Sequence, residues 1–452
     1  SAEQRRVSWQ GNHGDVGARA RVCRASRYYD RMKRMEQTTR LVLAIAAVLI
    51  PLTAAPQTPA FEPSGVSPEA ASGWHPVVSS RAPSYMAATA NPLATRVARS
   101  VLARGGSATD AVVAAQMMLA LVEPQSSGIG GGAFLVTFDA ATGRVDAWDG
   151  RETAPAAVDE RMFLDPQGRP IAFAQAVVGG HSVGVPGAVR MLEYAHRRLG
   201  QLPWRELLEP AITTARTGFD VSPRLAAQIA ADPYLKDDPV ARDYFFGTDG
   251  KALAAGHPLR NPALAETLEA LADRGSDALH RGPLAAAIVA KVRDHPLRPG
   301  RLSEADLAGY TALRREPLCF DWLRWTVCGM PPPSSGTLAI GQMLGMLEAT
   351  DSAGLVTATV DGDARLDADA VHRFSEAGRL AYADRARYVA DPDFVPLPPG
   401  LLTPDYLAAR ARQIGERSMG VADAGRPAPV DYPERGTSHV SVVDRNGNAA
   451  AL

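Results

Sequence analysis

Apolar positions recur at helical spacing through most of this chain, and strands read most clearly in three places. Asn91-Pro92 opens a helix, with asparagine as cap and proline at the first helical position, and Gly105-Gly106 closes it. "SATD" at Ser107–Asp110 is a capping-box pattern ahead of the apolar run "AVVAAQMMLALV", which Pro124 ends. Further helical runs follow Pro186 and Pro203 and cover 262–274, 283–294, 336–349, 368–389 and 404–414. The strand signals are "AFLVTFD", "RVDAWD" and "SHVSVVD", the last leading through Asn446-Gly447, a tight-turn signal, into the returning piece "NAAAL". The mixture is α plus β, without the regular strand–helix alternation of a parallel nucleotide-binding sheet, and without an internal repeat. Residues 419–436 hold few large apolar side chains and three prolines, and read as an exposed loop. Cys319 and Cys328 flank "FDWLRWTV". With Leu323-Arg324 as a two-residue turn they fall opposite each other on a hairpin, either as a disulfide or as two buried thiols.

Composition adds little and charge adds one feature. A length of 452 residues allows one large domain or two to three ordinary ones. The hydrophobic fraction of 46% with 21% charged residues is that of a soluble, well-packed protein. A net charge of −1 gives no field to attract nucleic acid or an anionic membrane. Ten of the 48 Lys and Arg, against four of the 49 Asp and Glu, lie in residues 1–40. The basic stretch "RMKRMEQTTR" runs into the apolar Leu41–Ile50, too short to span a bilayer, and then into small residues. That order describes a secretory signal, with a buried core helix as the alternative. The start would then be Met32 or Met35, and no cysteine follows closely enough for a lipid anchor. An exported protein, periplasmic or extracellular, would permit the Cys319–Cys328 bridge.

Most familiar chemistries are not expected. "GIGGG" at Gly128–Gly132 follows a helical run and opens a strand, the reverse of a phosphate loop, so close backbone packing explains it better. The nine histidines show no His-x-x-x-His spacing and the cysteines no Cys-x-x-Cys, so no dedicated metal centre is expected. A serine nucleophile elbow is not expected either. What remains is Thr437, which follows Gly436 and precedes a strand. A threonine hydroxyl needs a base, and a free α-amino group on the same residue, with a reference pKa near 8, supplies one once the Gly436–Thr437 bond is cut. Taken alone, a Gly-Thr before a strand is more often an ordinary loop.

It is not alone. "TSHVSVVDRNGNA" resembles the start of the small subunit of γ-glutamyltransferases, self-cleaving N-terminal nucleophile hydrolases. The resemblance extends back, in the family's order, through "GGSATDAVVAAQMMLALVEPQSSGIGGGAFLV", "DGRETAP" (149–155), "GVPGAV" (184–189), "MPPPSSG" (330–336) and "YADRARYVADPDF" (382–394), and covers roughly residues 76–452.

The resemblance implies an α+β fold of four layers, αββα, with two sheets between helices. It divides the chain into a leader over 1–60, a large-subunit region over 61–436 that ends in a flexible processing segment, and the start of the small subunit over 437–452. Thr437 matches the nucleophile and Gly436–Thr437 the self-cleavage site. Arg151, in "DGRETAP", matches the arginine that holds the substrate's α-carboxylate, a task suited to a planar guanidinium fork; without the resemblance a surface salt bridge is the simpler reading. Glutathione becomes the natural γ-glutamyl donor, water or the amine of an amino acid or dipeptide the acceptor, and no metal or organic cofactor is implied. The oxyanion-hole glycines and most of the pocket for the glutamyl amino end would follow Leu452, so a chain ending there is expected to be inactive. Two alternatives stand beside this reading: a cephalosporin or glutaryl acylase of the same fold, and a non-catalytic large-subunit scaffold.

Overall fold

Residue 79 is the first of those placed by the computed structural model, which describes 79–350, 358–360, 363–365, 368–426 and 440–452. The proposed leader, Gly436 and Thr437 lie outside them.

The described residues open with strand β1 (Met86–Thr89) and helices α1 (Pro92–Ala103) and α2 (Ala108–Val122). Asn91 caps α1 through its side chain, and the capping box of α2 is complete, Ser107 accepting from Asp110 N while Asp110 accepts from Ser107 N. Asp110 is also fully buried and accepts from Gln201 N and Leu202 N, so one residue starts a helix and ties down a distant loop. Helix α2 is apolar all round, and all of its residues except Ala120 are buried, as a central helix requires. Strands β2 (Ala133–Asp139) and β3 (Arg144–Gly150) follow, then helices α3 (Ala188–Leu199), α4 (Trp204–Thr217) and α5 (Pro262–Arg274). Pro283–Arg293 is a further helix. Strand β4 (Leu313–Arg315) precedes the hairpin β5 (Leu318–Trp322) and β6 (Trp325–Gly329), in which Cys319 and Cys328 are paired in register and joined by a disulfide, Cα to Cα 4.1 Å.

Helices α6 (Gly336–Ala349), α7 (Ala368–Tyr388) and α8 (Pro404–Ala411) enclose a smaller core of Ala339, Met346, Ala377, Leu380, Ala381 and Leu407. Strands β7 (Val440–Val443) and β8 (Ala449–Ala451) complete the description. Their connection is a three-residue loop rather than a two-residue Asn-Gly turn. Asp444 Oδ1 accepts from Asn446 N (2.8 Å) and Asn448 N (3.0 Å), and Gly447, at φ 84°, takes the left-handed position.

Six strands form one antiparallel sheet in the order β1-β7-β8-β2-β3-β4, so β7 lies inside it although it follows β1 by some 350 residues in sequence. Val440, Val442, Ala450, Leu135 and Trp148 point to the face that α2 and α3 cover. By strand alternation the opposite face carries Met86, Ala88, Val136, Phe138, Val443, Ala449 and Ala451, and it is open, with Phe138 40% and Val443 42% exposed. Among the described residues one sheet of the expected pair is thus present, covered by helices on one side and bare and apolar on the other.

Of residues 419–436, those described (419–426) form no helix or strand, yet they are tied down. From 415 to 425 the chain runs along α7 and is held by it: His372 bonds Gly415 O, Glu376 accepts from Met419 N, Arg379 donates to Gly420 O and Asp384 accepts from Gly425 N. Polar groups on a helix face, invisible in the composition of the loop itself, pin it down.

Candidate active site

Antiparallel register decides what meets at each end of the sheet. Val440 pairs with Thr89 on one side and exchanges both backbone hydrogen bonds with Leu452 on the other. Ala451, the neighbour of Leu452, pairs with Val136, and one residue back Leu135 pairs with Trp148. The start of β7, the start of β2 and the end of β3 therefore lie at the same end. The strand that follows Gly436–Thr437 in sequence begins where β3 delivers Arg151, three strand spacings or about 14 Å across the sheet.

Gly128–Gly132 enter β2 at this end, and their packing is the close approach expected of them. A Cβ on Gly132 would meet the Glu152 carboxylate at 2.2 Å and the Glu152 backbone nitrogen at 2.7 Å. The Gly131 carbonyl accepts from Gly187 N and Ala188 N, both 3.0 Å, at the start of α3. The motifs "GIGGG", "DGRETAP" and "GVPGAV" thus meet in one place.

The Arg151 side chain is 64% exposed, with Nε 3.5 Å from Glu152 Oε2. Behind it Asp149 is buried and accepts from Arg315 Nε at 2.6 Å, while the rest of the Arg315 fork reaches both oxygens of Asp393 (3.2 and 2.9 Å). Hydrogen bonding to Asp393, then to Asp149, pushes the Arg315 pKa up, and the same guanidinium holds the Asp393 carboxyl below its usual range. Arg385 donates to Ser335 Oγ at 3.1 Å, which brings "MPPPSSG" and "YADRARYVADPDF" together. Asp149, Glu152, Tyr310, Arg315 and Asp393 are the site-end residues that the sequence reading missed. Two of them, Asp149 and Glu152, flank Arg151 within its own motif.

The letters Gly-x-Ser-x-Gly occur at Gly180–Gly184, but not as a nucleophile elbow. Ser182 sits in a single turn of 3-10 helix and donates to Val177 O at 2.7 Å, without the strand-to-helix turn such a serine needs.

His280 lies beneath this end, 1% exposed and 5.7 Å, ring to ring, from Tyr310. Its Nδ1 donates to Leu307 O at 2.8 Å. Burial, more than the nearby Arg190 and Arg281, pushes its pKa below 6.5, opposed first by the hydrogen bond to Leu307 O and then by Asp277. The unfolded chain therefore binds this proton first. Stability is unaffected above about pH 6.5 and falls as pH drops from there toward the folded-state pKa. His280→Asn, which keeps a donor for Leu307 O but cannot titrate, is expected to remove this part of the acid sensitivity. Urea midpoints of both proteins at pH 7.5 and 5.5 check it: the native chain's advantage shrinks at pH 5.5, and an unchanged gap would refute the assignment.

With this geometry in hand, similarity to known proteins becomes informative. The sequence profile described as Gamma-glutamyltranspeptidase matches residues 94–452. The glutathione hydrolase proenzyme of Bacillus subtilis strain 168 is 35% identical over 382 residues, covering 81% of this chain and 63% of the relative. The Acylase ACY 1 proenzyme of Pseudomonas sp. strain SE83 is also 35% identical, over 81% of this chain and 64% of its own length. The crystal structure of Helicobacter pylori gamma-glutamyltranspeptidase superposes with a TM-score of 0.67 at 29% identity, over 77% of this chain and 95% of that one. The chain spans just under two thirds of the length of the curated relatives it matches.

Proposed function

This chain belongs to the gamma-glutamyltranspeptidase family, an enzyme family of the N-terminal nucleophile hydrolase fold, and from that premise we propose that it is processed at Gly436–Thr437 into a γ-glutamyl-transferring enzyme. The observation that carries the reading is the register that starts β7 at the sheet end holding Arg151.

The chemistry follows from the residues. Once Thr437 is N-terminal, its α-amine, with a reference pKa near 8, takes the hydroxyl proton. The hydroxyl oxygen then attacks the γ-carbonyl of the donor, with glutathione the natural one. The amide bond breaks, the leaving amine takes the proton, and an ester joins the γ-glutamyl group to Thr437. Water, or the amine of an amino acid or dipeptide, attacks that ester and frees the threonine. Arg151 holds the donor's α-carboxylate through its guanidinium fork, and none of these steps asks for a metal or an organic cofactor.

Two further parts of the reading have their own support. The open apolar sheet face suits small-subunit residues that complete the sandwich, since such a face is stable only under a covering layer. The Cys319–Cys328 disulfide suits an exported protein, periplasmic or extracellular, and among the described residues no helix is long and apolar enough to cross a membrane.

A glutaryl acylase is the second reading, favoured by the acylase relative. A glutaryl group carries the carboxylate but no amine, so Arg151 would serve either donor, whereas a threonine at 437 favours γ-glutamyl transfer over the serine expected of the acylases. Intact mass and N-terminal sequencing of the protein made from its complete gene, with γ-glutamyl and glutaryl anilides assayed side by side, test the proposal. Two pieces, one beginning at Thr437, and preference for the γ-glutamyl anilide are expected. A single uncut chain would leave only the scaffold reading.

A further inference from the structure

The Arg151 guanidinium is largely in solvent, yet the backbone from which it springs is fixed on both sides. The Arg151 N–H donates to Asp149 Oδ1 at 2.9 Å, and the Arg151 carbonyl accepts from the Tyr310 hydroxyl at 2.8 Å. Both partners are buried, Asp149 6% and Tyr310 8% exposed. Both are held in turn, Asp149 by Arg315 and the Tyr310 ring by its packing beside His280. The hydroxyl also occupies space that only a glycine at 187 leaves, since a Cβ there would come within 2.1 Å of it. Burial, with the negative charges of Asp149 and Glu152 second, pushes the Tyr310 pKa well above 10, so the hydroxyl keeps the proton it donates.

We propose that Tyr310 is a positioning residue for substrate: by anchoring the Arg151 carbonyl while Asp149 anchors its N–H, it sets the origin and direction of the arginine that holds the donor's α-carboxylate. The inference rests on the role proposed for Arg151. A bidentate grip depends on the fork arriving in one orientation, and a long side chain keeps that orientation only from a backbone that does not turn. A tyrosine that merely filled space would need its ring and not its hydroxyl.

Tyr310→Phe keeps the ring and removes the anchor. In the protein from the complete gene, KM for a γ-glutamyl anilide is expected to rise roughly five- to tenfold with kcat within about twofold. The 4-aminobutanoyl anilide, which is the same donor without its α-carboxylate, is expected to react equally well with both proteins. Arg151→Gln serves as the control, and adding Tyr310→Phe to it is expected to cost nothing more, because the anchored group is already gone. If Arg151→Gln raises KM but Tyr310→Phe leaves it unchanged, or weakens both donors alike, the positioning role is wrong while the reading of Arg151 stands. If Arg151→Gln leaves KM unchanged, or the native protein turns over neither donor, that reading fails and this inference with it.

Discussion

Thr437→Ala is expected to leave a single chain where the unaltered sequence yields two, and to lower γ-glutamyl release by at least about 10⁴-fold. In the proposed scheme one oxygen does two jobs. In the precursor the Thr437 hydroxyl attacks the Gly436 carbonyl, the peptide bond shifts to an ester, and water cleaves the ester to free the amine. In the mature enzyme the same hydroxyl attacks the donor. Alanine removes both events and, by blocking the first, also withholds the amine that would act as base. Thr437→Ser keeps an attacking oxygen, so it is expected to be cut and to retain measurable turnover. Gel electrophoresis, intact mass and anilide hydrolysis read the two variants. A Thr437→Ala protein that still breaks after Gly436, or still turns over donor within tenfold of the native protein, would sink the nucleophile assignment. Thr437 lies three positions ahead of Val440, the first described residue of β7, so loss of the sheet is not expected to confuse the result.

Much of the fold is legible in the sequence because its signals are local. Asn91-Pro92 and Ser107–Asp110 start helices through contacts within four residues, and the structure begins α1 and α2 there. The strands "AFLVTFD" and "RVDAWD" stand out as short runs rich in β-branched and aromatic residues, and they pair along their whole length. Met86–Thr89 and Leu313–Arg315 carry no comparable pattern, because these edge strands owe their conformation to β7 and β3, partners distant in sequence. The site divides in the same way. Arg151 stands out through its motif, but Tyr310 is recruited to it from 159 residues away and Arg315 to Asp149 from 166 residues away, which no spacing rule reaches. Asp444 shows a smaller version of this effect. Asn446-Gly447 marks the place of the turn, while the Asp444 carboxylate decides its length.

Asp384→Ala is expected to be the most destabilising single change in the segment that leads toward Gly436. Asp384 is fully buried, and each of its oxygens is doubly engaged. Oδ1 accepts from Gly425 N at 2.7 Å and lies 3.0 Å from the Arg410 guanidinium, while Oδ2 accepts from the Tyr406 hydroxyl at 2.8 Å and Gln342 Nε2 at 3.0 Å. Arg410 is itself only 3% exposed and donates to Leu380 O and Asp423 O, so it cannot leave to find water without unpinning the chain it holds. Removing the carboxylate strands that cation beside the small core of α6, α7 and α8, a change that costs about 3–5 kcal/mol. Asp384→Asn keeps the shape and one acceptor and is expected to cost about 1–3 kcal/mol. Spread over a unit of this size, the alanine variant's loss corresponds to a melting point lower by roughly 4–6 °C. The loss is also expected to be local first. Amides of 415–425 should exchange faster and the segment should be cut earlier by protease, while β2 and β3 keep their protection. Hydrogen exchange on native protein and both variants decides the matter. Unchanged protection at Gly425 in Asp384→Ala would mean that the other contacts along α7 hold the segment without it.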